Sequence, residues 1–96
     1  MIMETTKKIK EFYHGTSEQT WSDIQIEGVL FGKRPHAKSR CTYLTPDIEE
    51  AKRYGDVVLR VLYDPAEHPD MNNYVEGCWQ FRVYEPISLI KVFQLL

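Results

Sequence analysis

Cysteine, clustered glycine and an excess of either charge are what this chain has least of. It holds only two cysteines, Cys41 and Cys78. That is too few for a disulfide framework and shows no C-x-x-C spacing, so both are expected to stay reduced, as small half-buried residues of a cytoplasmic protein. The histidines, His14, His36 and His68, make no H-x-x-x-H pair and stand at no zinc-finger distance from a cysteine, so no metal is expected. His36 and His68 fall in polar loops and are read as solvated. The five glycines are scattered, which excludes a G-x-x-x-x-G-K-[ST] phosphate loop, and no G-x-S-x-G elbow surrounds a serine. No apolar run approaches the roughly 20 residues of a membrane span, and the polar opening from Met1 to Lys10 lacks a signal-peptide centre. No membrane partner is expected. A formal net charge of −2 disfavours a nucleic-acid binder that is basic throughout and leaves room for a local basic patch.

What is present suits one domain over residues 1–96, with residues 1–8 expected to be flexible. The hydrophobic share of 43% is ordinary for a globular chain. Alternation over Ile9 to Tyr13 suggests a strand closing at His14. Thr16 can cap a helix with Gln19 returning the bond, and Gly28 can stop it. A short "CTYL" strand leads to Thr45 and Pro46, read as N-cap and first position of a second helix ending at Gly55. The β-branched run Val57 to Tyr63 reads as a central strand. Alternation from Cys78 to Pro86 places Trp79, Phe81 and Val83 on one face, and "SLIKVFQLL" supplies a last strand. Trp21, Phe31, Trp79 and Phe81 are assigned to the core, with the cleft rim as the other place for Trp79; Tyr54 and Tyr63 are assigned to packing. The expected class is a compact α+β fold, a mostly antiparallel split sheet with about two short helices.

Three stretches carry the chemistry. "YHGTS" ends a strand and opens a helix, "TYLTPDIEEAKRYG" is a strand, cap and helix, and "WQFRVYEPISLIKV" is a late strand broken by proline. In this order they resemble the ADP-ribosyltransferase superfamily, in the His–Tyr–Glu branch that includes the poly(ADP-ribose) polymerases. The resemblance covers roughly residues 11 to 92 and implies a minimal version of that fold with NAD as substrate. It implies that His14 meets a ribose of NAD, that Gly15 offers its backbone to the nicotinamide amide, and that Tyr43 stacks on the nicotinamide ring. Thr16 would belong to the same NAD-binding set. Taken singly, His14 would read as a satisfied strand-end histidine, Tyr43 as a core aromatic and Gln80 as a polar residue on an exposed face. Their order favours the site.

The third motif departs from the family. Its common N-E-Y-x-V-Y stretch aligns with Trp79 to Tyr84 and puts Gln80 where a glutamate would stand. An amide keeps the hydrogen bond to a ribose hydroxyl but loses the full charge that steadies an oxocarbenium-like centre, an effect worth several kcal/mol in a dry site. Glu76, four residues earlier, could substitute only if the segment after Val75 bends; Glu85 lies on the opposite parity. The basic loop Lys33, Arg34, His36, Lys38 and Arg40 is either a solvated surface or a holder for the dinucleotide pyrophosphate, through Arg34 and Arg40 above all, or for a nucleic-acid acceptor. The leading expectation is a mono-ADP-ribosyltransferase acting on a protein or nucleic acid, with His14, Tyr43 and Gln80 as its catalytic residues. The alternatives are an inactive module binding NAD, ADP-ribose or RNA, then a protein like the tRNA 2′-phosphotransferases, then an inhibitor or adaptor acting through its surface.

Overall fold

A run of β-branched residues buried on both sides needs cover above and below, and residues 57–62 receive it. The computed structural model describes residues 10–32 and 40–96. The expectations for residues 1–8 and for Lys33, Arg34, His36 and Lys38 lie outside the described residues. The elements run β1 (Glu11–Thr16), α1 (Glu18–Glu27), β2 (Val29–Leu30), β3 (Thr42–Leu44), α2 (Ile48–Ala51), β4 (Val57–Leu62), β5 (Phe81–Val83), β6 (Ile87–Ser88) and β7 (Val92–Gln94). Short 3-10 turns occur at Lys52–Tyr54, Pro65–Glu67 and Leu89–Lys91. The result is a small α+β fold of two short helices and antiparallel strands.

β4 is the middle strand of a sheet ordered β1-β4-β7, while β2 pairs β6 and β3 pairs β5. The ladders are all antiparallel. Among the described residues, a single backbone bridge joins the first sheet to the β3 segment, between Tyr13 and Thr45. There, each residue's N–H donates to the other's carbonyl, at 2.7 and 3.0 Å. The core closes around the inward face of β4, with Leu59 and Val61 fully buried against Phe12, Leu44 and Phe81. Phe12 and Phe81 meet edge to face at 4.7 Å, the geometry their ring quadrupoles favour.

Several boundaries differ from expectation, each for a local reason. β1 continues past His14, because Gly15 and Thr16 still pair with Val58 and Val57. Thr16 is thus the last strand residue, and Ser17 is the N-cap of α1, its hydroxyl accepting from the Thr20 N–H at 3.1 Å. Gly28 does end α1, at φ 88° with its N–H donating to the Ile24 carbonyl. The second helix is shorter than expected. Asp47, not Thr45, caps it, accepting from the Glu49 N–H at 2.9 Å, and after Ala51 the chain tightens into a 3-10 turn. The expected strand from Cys78 to Pro86 shrinks to β5, because Gly77 turns at φ 85° and the Cys78 N–H is drawn back to the Val75 carbonyl. Trp79 therefore leaves the core and is 64% exposed. The last strand is interrupted by the turn at Leu89–Lys91, which the Ser88 side chain caps.

Two packing assignments also change. Tyr54 is 57% exposed rather than packed. His68, expected to be solvated, stacks on Tyr63 with ring centres 5.4 Å apart, and its Nδ1 lies 3.2 Å from Glu85 Oε2.

Candidate functional site

The site forms where the sheets separate. In an antiparallel strand, alternate residues turn their N–H and C=O to opposite edges. Tyr13 uses both groups on Thr45, so Gly15, two residues on, presents its own pair to that same edge. The opposing residue in that register is Tyr43, but the ladder does not continue to it. No hydrogen bond is made on that edge by Gly15 among the described residues. Instead, the His14 imidazole enters the gap, its Nδ1 2.7 Å from the Tyr43 carbonyl oxygen.

A carbonyl can only accept, so Nδ1 carries the proton. Burial pushes the His14 pKa below its ordinary value, with the Tyr43 hydrogen bond opposing that shift only in part. The ring is therefore neutral, and Nε2 is left as a lone-pair acceptor. No second hydrogen bond engages the ring among the described residues.

A cavity of about 80 Å³ occupies the split, and His14, Gly15, Tyr43 and Gln80 all line it. Tyr13, Leu44, Thr45, Ala51 and Tyr54 supply the rest of its lining, which is mostly apolar. None of the described lining residues is Asp or Glu. The volume is below the roughly 150 Å³ of a cavity that takes up a benzene, so a flat ring enters fully only if the lining yields. His14 also lines a second cavity of about 200 Å³ against α1, which carries the Asp23 and Glu27 carboxylates.

The scaffold explains each position. Gly15 is glycine because α2 crowds it: a Cβ there would stand 1.7 Å from the Ala51 carbonyl oxygen. Thr45 ties the two walls together. Its backbone pairs with Tyr13, its hydroxyl donates to the Trp79 carbonyl at 2.6 Å, and its Oγ1 accepts from the Asp47 N–H at 3.1 Å. This one side chain sets the segment that carries Gln80. On the outer face of β3 and β5, Tyr43 is the cross-strand partner of Arg82, whose guanidinium lies 5.8 Å from the Tyr43 ring centre.

Sequence reasoning brought His14, Gly15, Tyr43 and Gln80 together, and the structure places all four on one cavity. Thr16 is buried under the sheet and lines neither cavity. Arg40 also lines neither. Its guanidinium makes a bidentate pair with Glu27 at 3.0 and 3.1 Å and donates to the Phe31 and Gly32 carbonyls, so its donors clamp the end of α1 rather than face a ligand. Glu76 does not replace the missing carboxylate; it lies at the Tyr74 hydroxyl, 3.4 Å away, in a separate cavity with Lys10. Glu85 is likewise committed, accepting from the Tyr63 hydroxyl at 2.8 Å. Burial, then that carboxylate, drives the Tyr63 pKa up, so the phenol stays a donor.

Sequence reasoning missed Tyr13, Thr45 and Tyr54 as cavity residues. The alternating side of a strand could have flagged Tyr13, but Tyr54 reaches the cavity only because α2 is short and packs onto Gly15. Among the described residues no cluster of His, Cys, Asp and Glu could hold a metal, and no helix is long and apolar enough to cross a membrane. Cys41 and Cys78 remain thiols. Neither a family model, nor a curated protein, nor a solved structure matches the chain.

Proposed function

We propose that this protein is a cytoplasmic, NAD-dependent mono-ADP-ribosyltransferase that releases nicotinamide and passes ADP-ribose to a macromolecular acceptor. The observation that carries this reading is the split itself. It leaves the Gly15 backbone edge unladdered, opposite Tyr43, with the neutral His14 ring and Gln80 on the same small cavity. A backbone N–H and C=O side by side suit a carboxamide, which needs one acceptor and one donor. Tyr43 offers a ring face to the pyridinium. Nε2 of His14 accepts from a ribose hydroxyl, and the Gln80 amide oxygen accepts from the other.

As the bond between C1′ and the pyridinium nitrogen breaks, its electron pair goes to nicotinamide and positive charge gathers on the ribose. The Gln80 dipole opposes that charge less strongly than a carboxylate would. A second reading, a module that binds NAD or ADP-ribose without turnover, has this same residue in its favour.

Titration calorimetry with NAD and chromatography of released nicotinamide test both, on wild type and His14→Ala. Binding with His14-dependent release supports the transferase. Binding without release supports the module. The absence of both binding and release refutes the NAD reading outright.

A further inference from the structure

A third cavity, of about 340 Å³, lies beyond the end of β1 opposite His14 and Gly15 and shares no residue with the two cavities around them. Pro65, Ala66, Pro69 and Tyr74 give it an apolar side, and Lys10, Asp64 and Glu76 bring charge to it. Its walls are braced. The Asn72 amide nitrogen donates to the Pro65 and His68 carbonyls at 3.2 and 2.7 Å, and Asn72 Oδ1 accepts from the Tyr74 N–H at 3.0 Å. One side chain thus closes the loop carrying the two prolines onto the segment carrying Tyr74. The Tyr74 ring in turn packs edge to face on Phe12 and Phe81, with centres 5.8 and 5.0 Å apart. A cavity built this way needs little ordering when a ligand enters.

Its charges are not spent on one another. Among the described residues, every ion pair is made by other groups. The Lys10 ammonium stands 5.6 Å from the Tyr74 ring centre. Asp64 accepts from the Ala66 N–H at 3.0 Å, and Glu76 from the Tyr74 hydroxyl at 3.4 Å. An anion drawn to Lys10 would be repelled by two carboxylates, and a diamine drawn to the carboxylates would be repelled by Lys10. A small molecule bearing both charges on neighbouring atoms answers both, and the prolines and the tyrosine ring take an apolar tail.

We infer that this cavity binds a free apolar α-amino acid. Its carboxylate meets Lys10, its ammonium meets Asp64 and Glu76, and its side chain lies on Pro65, Pro69 and Tyr74. The volume is more than twice the roughly 150 Å³ of a cavity that takes up a benzene, so even a phenylalanine side chain enters. The inference goes beyond the NAD reading and does not depend on it.

The test uses the purified full chain without NAD, so its outcome is separate from that of the NAD reading. The probes are L-leucine, L-methionine and L-phenylalanine, with N-acetyl-L-phenylalanine, L-phenylalaninamide and putrescine as single-sign comparisons. Titration calorimetry reads affinity, and amide chemical shifts in NMR spectra read the place of binding. Expected is saturable binding of at least one of the three amino acids, with shifts centred on Ala66 and on residues 72–76. Blocking either end of the amino acid weakens binding at least about fivefold, as does Lys10→Met or Glu76→Gln, since each removes a charge-assisted contact. Both positions lie at the surface or half-buried, and circular dichroism melts confirm that the variants fold. Lys52→Met, on the exposed side of the turn after α2, leaves binding unchanged. No saturable binding of any of the three amino acids below about 10 mM, weaker than any useful affinity, overturns the inference. So does putrescine or an end-blocked probe binding as tightly as the amino acid, binding indifferent to both Lys10→Met and Glu76→Gln, or shifts centred elsewhere.

Discussion

Replacing Gly15 with alanine tests the architecture of the site at its tightest point. The new Cβ would sit 1.7 Å from the Ala51 carbonyl oxygen, 2.7 Å from its carbon and 3.2 Å from Tyr54 Cβ. Real Cβ contacts essentially never fall below 3.0 Å, so strand and helix must part by about 1.3 Å. Both are backbone and neither yields easily. β1 is held along its length by β4, and the start of α2 is held by the Asp47 cap and by Thr45. Overpacking of this kind costs about 1–3 kcal/mol, and rigid backbone puts it toward the upper end. In a domain of this size each kcal/mol lowers Tm by about 4–8 °C, so a drop of at least about 8 °C is expected in a thermal melt followed by far-UV circular dichroism. Gly28→Ala is the control. There the cost is the left-handed backbone at φ 88° with nothing within 4 Å of the added Cβ, roughly 1 kcal/mol. If Gly15→Ala melts at or above Gly28→Ala, α2 does not press on Gly15 as described, and the glycine is there for the ligand alone.

Three further outcomes follow from the same geometry. The unfolded chain protonates His14 near pH 6.5, while in the folded chain burial lowers that pKa; stability conferred by the neutral ring should therefore be intact above that pH and fall below it, by at most about 1.4 kcal/mol per pH unit. Urea melts from pH 7.5 to 5 should show this slope reduced in His14→Asn, and an unchanged slope refutes the assignment. Thr45→Val keeps the shape but strips the hydroxyl bonded to the Trp79 carbonyl and the Asp47 N–H; denaturant titration should register a loss of about 2 kcal/mol, against no loss if the hydroxyl is idle. Gln80→Glu puts a carboxylate on the cavity and, on the NAD reading, should raise nicotinamide release at least about tenfold; an unchanged or lower rate would show that position 80 does not face the developing charge.

Much of the site was legible because its residues act through local context. A histidine and glycine closing a strand, a tyrosine just before a capped turn and a glutamine on a late strand occur in an order that pairwise strand chemistry brings together. Alternation misled at Trp79, since period-two patterning assumes an extended chain and Gly77 bends it. The caps shifted by one or two residues because Ser17 and Asp47 compete with Thr16 and Thr45 for the same orphan N–H groups, and Thr45 was already engaged across the molecule. Arg40 looked available in a basic run, yet Glu27, thirteen residues earlier, folds back to take it.

The sequence by itself determined the α+β class, the buried β4 strand and the candidates His14, Gly15, Tyr43 and Gln80, because hydrophobic period, cap chemistry and glycine placement are properties of neighbouring residues. Only the tertiary structure decided that the ladder between β1 and β3 stops after a single bridge. That break leaves the Gly15 edge open and hands the Tyr43 carbonyl to His14, and it depends on which distant segments compete for the same hydrogen bonds.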